Sequence, residues 1–267
     1  FLIFGLPVIV LGGVVATVLA FEVAGLFTLY FCAQSYHVAR QSFGIARAYR
    51  RSGMHPFRQD RLAEALIYLA AAWGLLARCA QAPETFLGYP IQLPAVPAQA
   101  ANAMGVAAIA CSACWLWRQA RLALTGNIDW RHDGFVTSHA FTCFVAYIWI
   151  TDITLGWLLI NLWHNLQYLL FVWVQNIRRK RQTQADKASE TGLWKNAARY
   201  GGVCLALGSM LYLAIDWAGT QLLWLGLPTV LIAHFTLGFH HYLVDGVIWK
   251  RRAASAEHGA LVRRDCK

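Results

Sequence analysis

The stretch that most constrains the fold runs from Leu231 to Trp249, LIAHFTLGFHHYLVDGVIW. It reads as a membrane-spanning segment, and where no water satisfies backbone polar groups such a segment is expected to be helical. Yet it carries His234, His240, His241 and Asp245. At 100° per residue, His234, His241 and Asp245 fall on one stripe, because steps of seven and four return to the same face. His240 sits about a quarter-turn away. Ionisable groups at membrane depth are expensive and usually face a protein interior with a partner, which makes this stripe a candidate functional site. The competing reading is a set of interhelical hydrogen bonds in the bundle core.

Similar apolar runs recur along the chain. Only 13% of the 267 residues are charged and 58% are hydrophobic, about half the charge of an ordinary soluble domain. The pattern predicts an all-α, polytopic transmembrane bundle of about eight helices, a single integral membrane domain over residues 1–267. Phe1 to Gly12 reads as a first span broken at Gly12-Gly13; since the chain begins inside this run and without Met, its native start is expected further upstream. The next spans are about Val14 to His37, Leu62 to Gln81, Ala100 to Leu122, Phe135 to Ile150, Leu155 to Ile177, Tyr200 to Trp217 and Leu223 to Trp249. The four prolines of APETFLGYPIQLPAVPAQ mark a loop, TDIT a tight link, and the basic stretch Arg178 to Arg199 a solvated connector.

Charge predicts the orientation. Arg and Lys follow His37, Trp117, Ile177 and Trp249, whereas residues 82–98, 151–154 and 218–222 carry none. By the positive-inside rule, both chain ends and the Arg/Lys-rich loops are expected in the cytoplasm. Because the net charge of +10 is concentrated at span ends, the bilayer is the expected partner and nucleic acid is not. Of seven cysteines most lie in apolar runs and read as small buried residues; Cys111 and Cys114 form a lone C-x-x-C inside a span.

The remaining histidines fit the same bundle. His37 precedes Gln41 by one helical turn, His139 lies in the fifth span, and His164 shares a polar stripe with Asn161, Asn165 and Tyr168 in the sixth. Imidazoles from four helices suit a metal, and imidazole with few carboxylates points to Fe, Cu or Zn. His37, His139, His164, His234, His240 and His241 are the candidate ligands. Asp245 is a further ligand or the group that orients His241, with Gln41, Asn165 and Tyr168 in supporting positions. Register and depth place His241 and Asp245 in one expected site with His164. Tyr36, Trp163, Phe239 and Tyr242 then line a substrate pocket, unless they serve core packing alone. His55, His132 and His258 lie in polar stretches and are expected in solvent, while Glu22, Asp152 and Asp216 cap or anchor helices.

Two of these stretches resemble motifs of the bacterial Brp/Blh-type β-carotene dioxygenases. HHYLVD, His240 with Asp245, is similar to the last histidine motif of that family, a His followed five positions later by Asp. HNLQYLLFVW, from His164 to Trp173, looks like its aromatic histidine helix, with Tyr168 where the family carries a second His. The family's early His-Gly-x-x-Asp motif falls at His37-Val-Ala-Arg-Gln41, where both Gly and Asp differ, and His139 stands for the remaining motif without matching neighbours. The resemblance implies a bacterial inner-membrane protein in which histidines hold non-haem iron.

The expected function is therefore an iron-dependent oxygenase acting with O2 on a long apolar substrate such as a carotenoid, isoprenoid or fatty acyl chain. An electron donor or membrane complex partner is not identified. The alternative is a haem- or pigment-binding redox subunit, with b-type haem held by axial histidines such as His164 and His234. A proton-relaying transporter is the third class, but no inverted repeat is visible.

Overall fold

The computed structural model describes residues 4–51, 60–183 and 190–265. Among these residues the protein is almost entirely helical: α1 (Gly5–Arg51), α2 (Arg61–Gln81), α3 (Ala98–Leu124), α4 (Trp130–Phe144), α5 (Ile153–Thr183), α6 (Glu190–Gln221) and α7 (Thr229–Asp265). Two short strands, β1 (Thr85–Phe86) and β2 (Tyr89–Pro90), pair as an antiparallel hairpin. Four segments are long and apolar enough to cross a membrane: Gly5–Arg50, Arg61–Gln81, Ala98–Leu124 and Ala198–Gln221. Their outward faces expose large apolar side chains such as Val106, Ile109, Leu205 and Leu213, as a lipid-facing surface does.

Among the described residues there are seven α-helices where eight spans were expected, and the expected spans on α4, α5 and α7, the last with Leu231 to Trp249, are not among the four long and apolar enough to cross a membrane. The first two expected spans are one element, because α1 runs unbroken through Gly12-Gly13. Its irregularity lies at Glu22, whose φ of 57° and ψ of −168° interrupt the helical backbone. A left-handed φ at a residue with a Cβ is strained, and the chain changes direction there instead of at the two glycines.

The chain divides into two compact units, Phe1–Asn161 with Gly238–Lys267, and Leu162–Leu237. In the first, α2 buries a helical stripe of Ala63, Leu66, Ile67, Ala70, Ala71 and Gly74. α3 answers with Ala101, Gly105 and Ala108, small residues at helical spacing that let two helices approach closely. A Cβ on Gly105 would run into the Trp73 indole. The proline-rich loop holds the β hairpin, whose turn has positive φ at both Leu87 and Gly88, the geometry of a two-residue hairpin turn. Phe86 is thereby buried against Phe27, Phe31 and Trp157.

The end of α4 is unusual. It continues as a π-helical turn, Val145–Trp149, and the chain then starts α5 with Asp152 Oδ1 accepting from Leu155 N at 2.7 Å. Arg78, fully buried, donates to the carbonyls of Ala146 (2.8 Å) and Thr151 (2.7 Å), to that of Ile150, and to Gln81 Oε1 (2.7 Å). It supplies the donors that a buried helix end lacks. α5 passes so close that a Cβ at Gly156 would overlap the Ala146 carbonyl oxygen.

At the opposite ends of these helices, Asp60 caps α2 by accepting from Ala63 N at 3.0 Å and pairs with Arg118 of α3. Burial alone would raise the Asp60 carboxyl, but the Arg118 guanidinium and the Ala63 N–H outweigh it and hold it below the usual carboxylate range.

In the second unit α6 and the start of α7 meet at a turn containing Gly226, at φ 67°, and Pro228. Thr229 Oγ1 donates to the Gly219 carbonyl at 3.0 Å, and a Cβ on Gly219 would strike Val230. The expected connector 178–199 is narrower than its polarity suggested, since α5 extends to Thr183 and α6 begins at Glu190.

Candidate functional site

Two helices of the first unit bring imidazoles together. His37 projects from α1, where Ser35, His37, Gln41 and Ser42 are all buried among apolar neighbours. His241 projects from α7, with its ring centroid 5.1 Å from that of His37 at an interplanar angle of 66°. One ring nitrogen of each lies within 4.8 Å of the other. Tyr242 stacks on His37 at 4.2 Å and 23°, which fixes the imidazole plane. Asp245, one turn beyond His241 on α7, is buried, and its Oδ2 lies 3.7 Å from His241 Nε2. The i, i+4 spacing read from the sequence is what makes this pair meet.

His37 and Asp245, though not His241, line a cavity of about 660 Å³ together with Arg40, Gln41, Tyr36, Phe239 and Tyr242. The remaining lining is mostly aliphatic, from Val10 and Val14 to Leu29, Leu243 and Val247. Gln41 is 1% exposed, and neither its Oε1 nor its Nε2 has a hydrogen-bond partner. A buried amide left in this state costs about 1–3 kcal/mol relative to a satisfied one.

His37 and His241 each bring a ring nitrogen close enough to share one ion, and the Asp245 carboxylate stands beside His241. Imidazole with a carboxylate nearby is a donor set suited to first-row transition metals. The orphaned amide of Gln41 is the structural sign that something polar belongs there.

The other candidate histidines stand on α4, α5 and α7. His139 is fully buried in α4 with Nε2 3.1 Å from the Ile67 carbonyl, which ties α4 to α2, and 3.6 Å from Cys143 Sγ one turn along α4. His234, in the second unit, stacks on Tyr212 at 4.9 Å and 28°. His164 is buried in the α5 segment of the second unit, where Trp163 and Tyr168 are half-buried and Asn165 is exposed. His240 is half-buried on α7, and Tyr36 exposes 65% of its surface while bordering the cavity. Asn161, grouped with His164 by helical spacing, instead accepts from Gln34 Nε2.

One expectation is reversed. His132, expected in solvent, is 2% exposed in the first turn of α4, because Asp60 and Arg118 close over that helix end. The position of His55 falls outside the described residues. Comparison with protein-family models, with curated proteins and with solved structures returns no match.

Proposed function

We propose that this protein is an intramembrane oxidoreductase that holds iron between His37 and His241 and oxidises a long apolar molecule with O2. The observation that carries the reading is the meeting of two imidazoles from different helices, one of which, His37, lines a mostly apolar cavity beside a buried Gln41 amide without hydrogen-bond partners. Iron so placed supplies O2 chemistry that no side chain provides. His37 and His241 contribute neutral nitrogen donors, and stacking by Tyr242 keeps the His37 ring from turning away. Asp245 serves as a third donor or orients His241, and in either role its charge favours a cation at the site. Gln41 offers an amide N–H donor group and a carbonyl acceptor to whatever polar group enters, while Tyr36, Phe239, Leu29 and Leu243 match an apolar chain.

The test is metal analysis and an absorption spectrum on the detergent-purified protein. Stoichiometric iron without a Soret band is expected in the wild type. Both His37→Ala and His241→Ala should lose it while remaining folded, since packing between helix faces holds a membrane bundle together. Asp245→Asn should weaken iron binding about 10–100-fold if Asp245 orients His241, and should match the histidine losses if it is a ligand. A Soret band would assign haem instead. Iron retained in His241→Ala would overturn the assignment of that residue.

A further inference from the structure

A second cluster of metal-binding side chains lies in the first unit, in elements that do not border the α1/α7 cavity. It gathers where α2 begins, α3 approaches its end and α4 begins. Asp60, Asp129, His132 and Asp133 are all buried there. One ring nitrogen of His132 and one oxygen from each of Asp60 and Asp133 lie within 4.8 Å of one another. Donor atoms each about 2 Å from a shared ion stand at most about 4 Å apart, so a small contraction closes the shell. His132 Nδ1 is 2.7 Å from Asp133 Oδ1, the contact by which a carboxylate orients a ligand imidazole.

The charges in this cluster do not balance. Among the described residues three buried carboxylates face one guanidinium, that of Arg118, and one imidazole. The carboxylates outnumber the cations whichever state the imidazole takes. Buried charges are ordinarily paired or bound to metal, because an uncompensated one is very costly. The other partners add donors but no positive charge. Asp133 Oδ2 accepts from Asp129 N at 3.2 Å and, with the Gln119 amide turned to satisfy its neighbours, from Gln119 at 3.1 Å. Asp129 Oδ1 accepts from His132 N at 3.4 Å, while its Oδ2 has no hydrogen-bond partner, in a residue only 7% exposed. One carboxylate oxygen in the first turn of α4 is therefore uncommitted.

We propose that Asp60, His132 and Asp133 form a second site, for one divalent first-row transition cation, with Asp129 beside them as an outer carboxylate that adds negative charge. Mixed carboxylate and imidazole donors select this class over the all-oxygen sites of Mg2+ and Ca2+. The ion ties the start of α2 to the start of α4, and Arg118 neutralises the carboxylate charge left over. The site is independent of the α1/α7 cavity and stands whether or not iron binds there.

The experiment uses the full-length His241→Ala protein in detergent, stripped with chelator, so that binding at the cavity is not counted. Mn2+ is titrated and the free ion read by electron paramagnetic resonance. Stoichiometric binding is expected, weakened at least about tenfold by adding His132→Gln and likewise by adding Asp129→Asn. Asp129→Asn keeps the oxygen that caps the first turn and changes only the charge, so a folding defect in His132→Gln leaves the test intact. A stripped protein that takes up no Mn2+ would overturn the proposal, as would unchanged affinity in the Asp129→Asn form.

Discussion

Arg78 and Gln41 are polar side chains of the first unit with almost no solvent exposure, 0% and 1%, and their surroundings are opposite. Both terminal nitrogens of Arg78 are taken up by the carbonyls of Ala146, Ile150 and Thr151 and by Gln81, leaving only its Nε without a partner. Gln41 has nothing on either amide atom and borders a cavity. The first arrangement is complete as it stands and serves the fold. The second is incomplete, and a protein retains an unsatisfied buried amide at some cost in stability. Satisfaction, and not burial, separates the structural polar group from the candidate functional one.

The largest effect should come from removing the satisfied group. Arg78→Met strands three carbonyls at the π-helical end of α4. A loss of about 3–5 kcal/mol is expected, as when one member of a buried charged network is deleted. Thermal unfolding in detergent, followed by size-exclusion chromatography, measures it. A variant that melts with the wild type would show that the carbonyls find other donors and that the contrast with Gln41 is not one of satisfaction.

Arg78 also marks where sequence reasoning stopped. An arginine near the end of an apolar span reads as an interfacial cation, and nothing in its neighbours says that a π-helical turn ends against it. Four of the helices were legible from apolar runs of bilayer length, and Asp152 was legible as a cap because it opens α5 directly after the short link. The pairing of His241 with Asp245 followed from the i, i+4 rule. What periodicity cannot supply is which helices face each other. The register of α7 aligns His234 with His241, yet His234 is engaged by the Tyr212 ring of α6, a contact set by tertiary packing. His132 was misread for the same reason: a polar local sequence, DWRHD, hides that a carboxylate and a guanidinium from two other helices bury it.

The next effect in size tests whether the Arg78 network tolerates any change of shape. A Cβ at Gly156 would overlap the Ala146 carbonyl and come within 2.9 Å of the Arg78 guanidinium. Gly156→Ala should therefore push α5 away from the π-helical end and cost about 1–3 kcal/mol, the usual range for overpacking. The same melts read it. Because both variants disturb one set of carbonyls, Arg78→Met and Gly156→Ala together should cost less than their sum. Strict additivity would mean that the two residues act on different parts of the structure.

The smallest effect carries the most information about Gln41. Gln41→Met keeps the volume and removes an amide whose hydrogen bonds are unmade in the metal-free protein. In that state the substitution should be neutral or stabilise by about 1 kcal/mol, opposite in sign to Arg78→Met, because an apolar group replaces an unsatisfied polar one. Adding Fe(II) under anaerobic conditions should raise the melting temperature of both proteins through binding to the folded state, since His37 and His241 remain. If the Gln41 amide engages a group brought in with the iron, such as coordinated water, the rise should be smaller in the variant. Destabilisation of the metal-free protein on the scale of Arg78→Met would place Gln41 among the structural polar groups. An equal Fe(II) response in the two proteins would remove Gln41 from the site while leaving its two imidazoles in place.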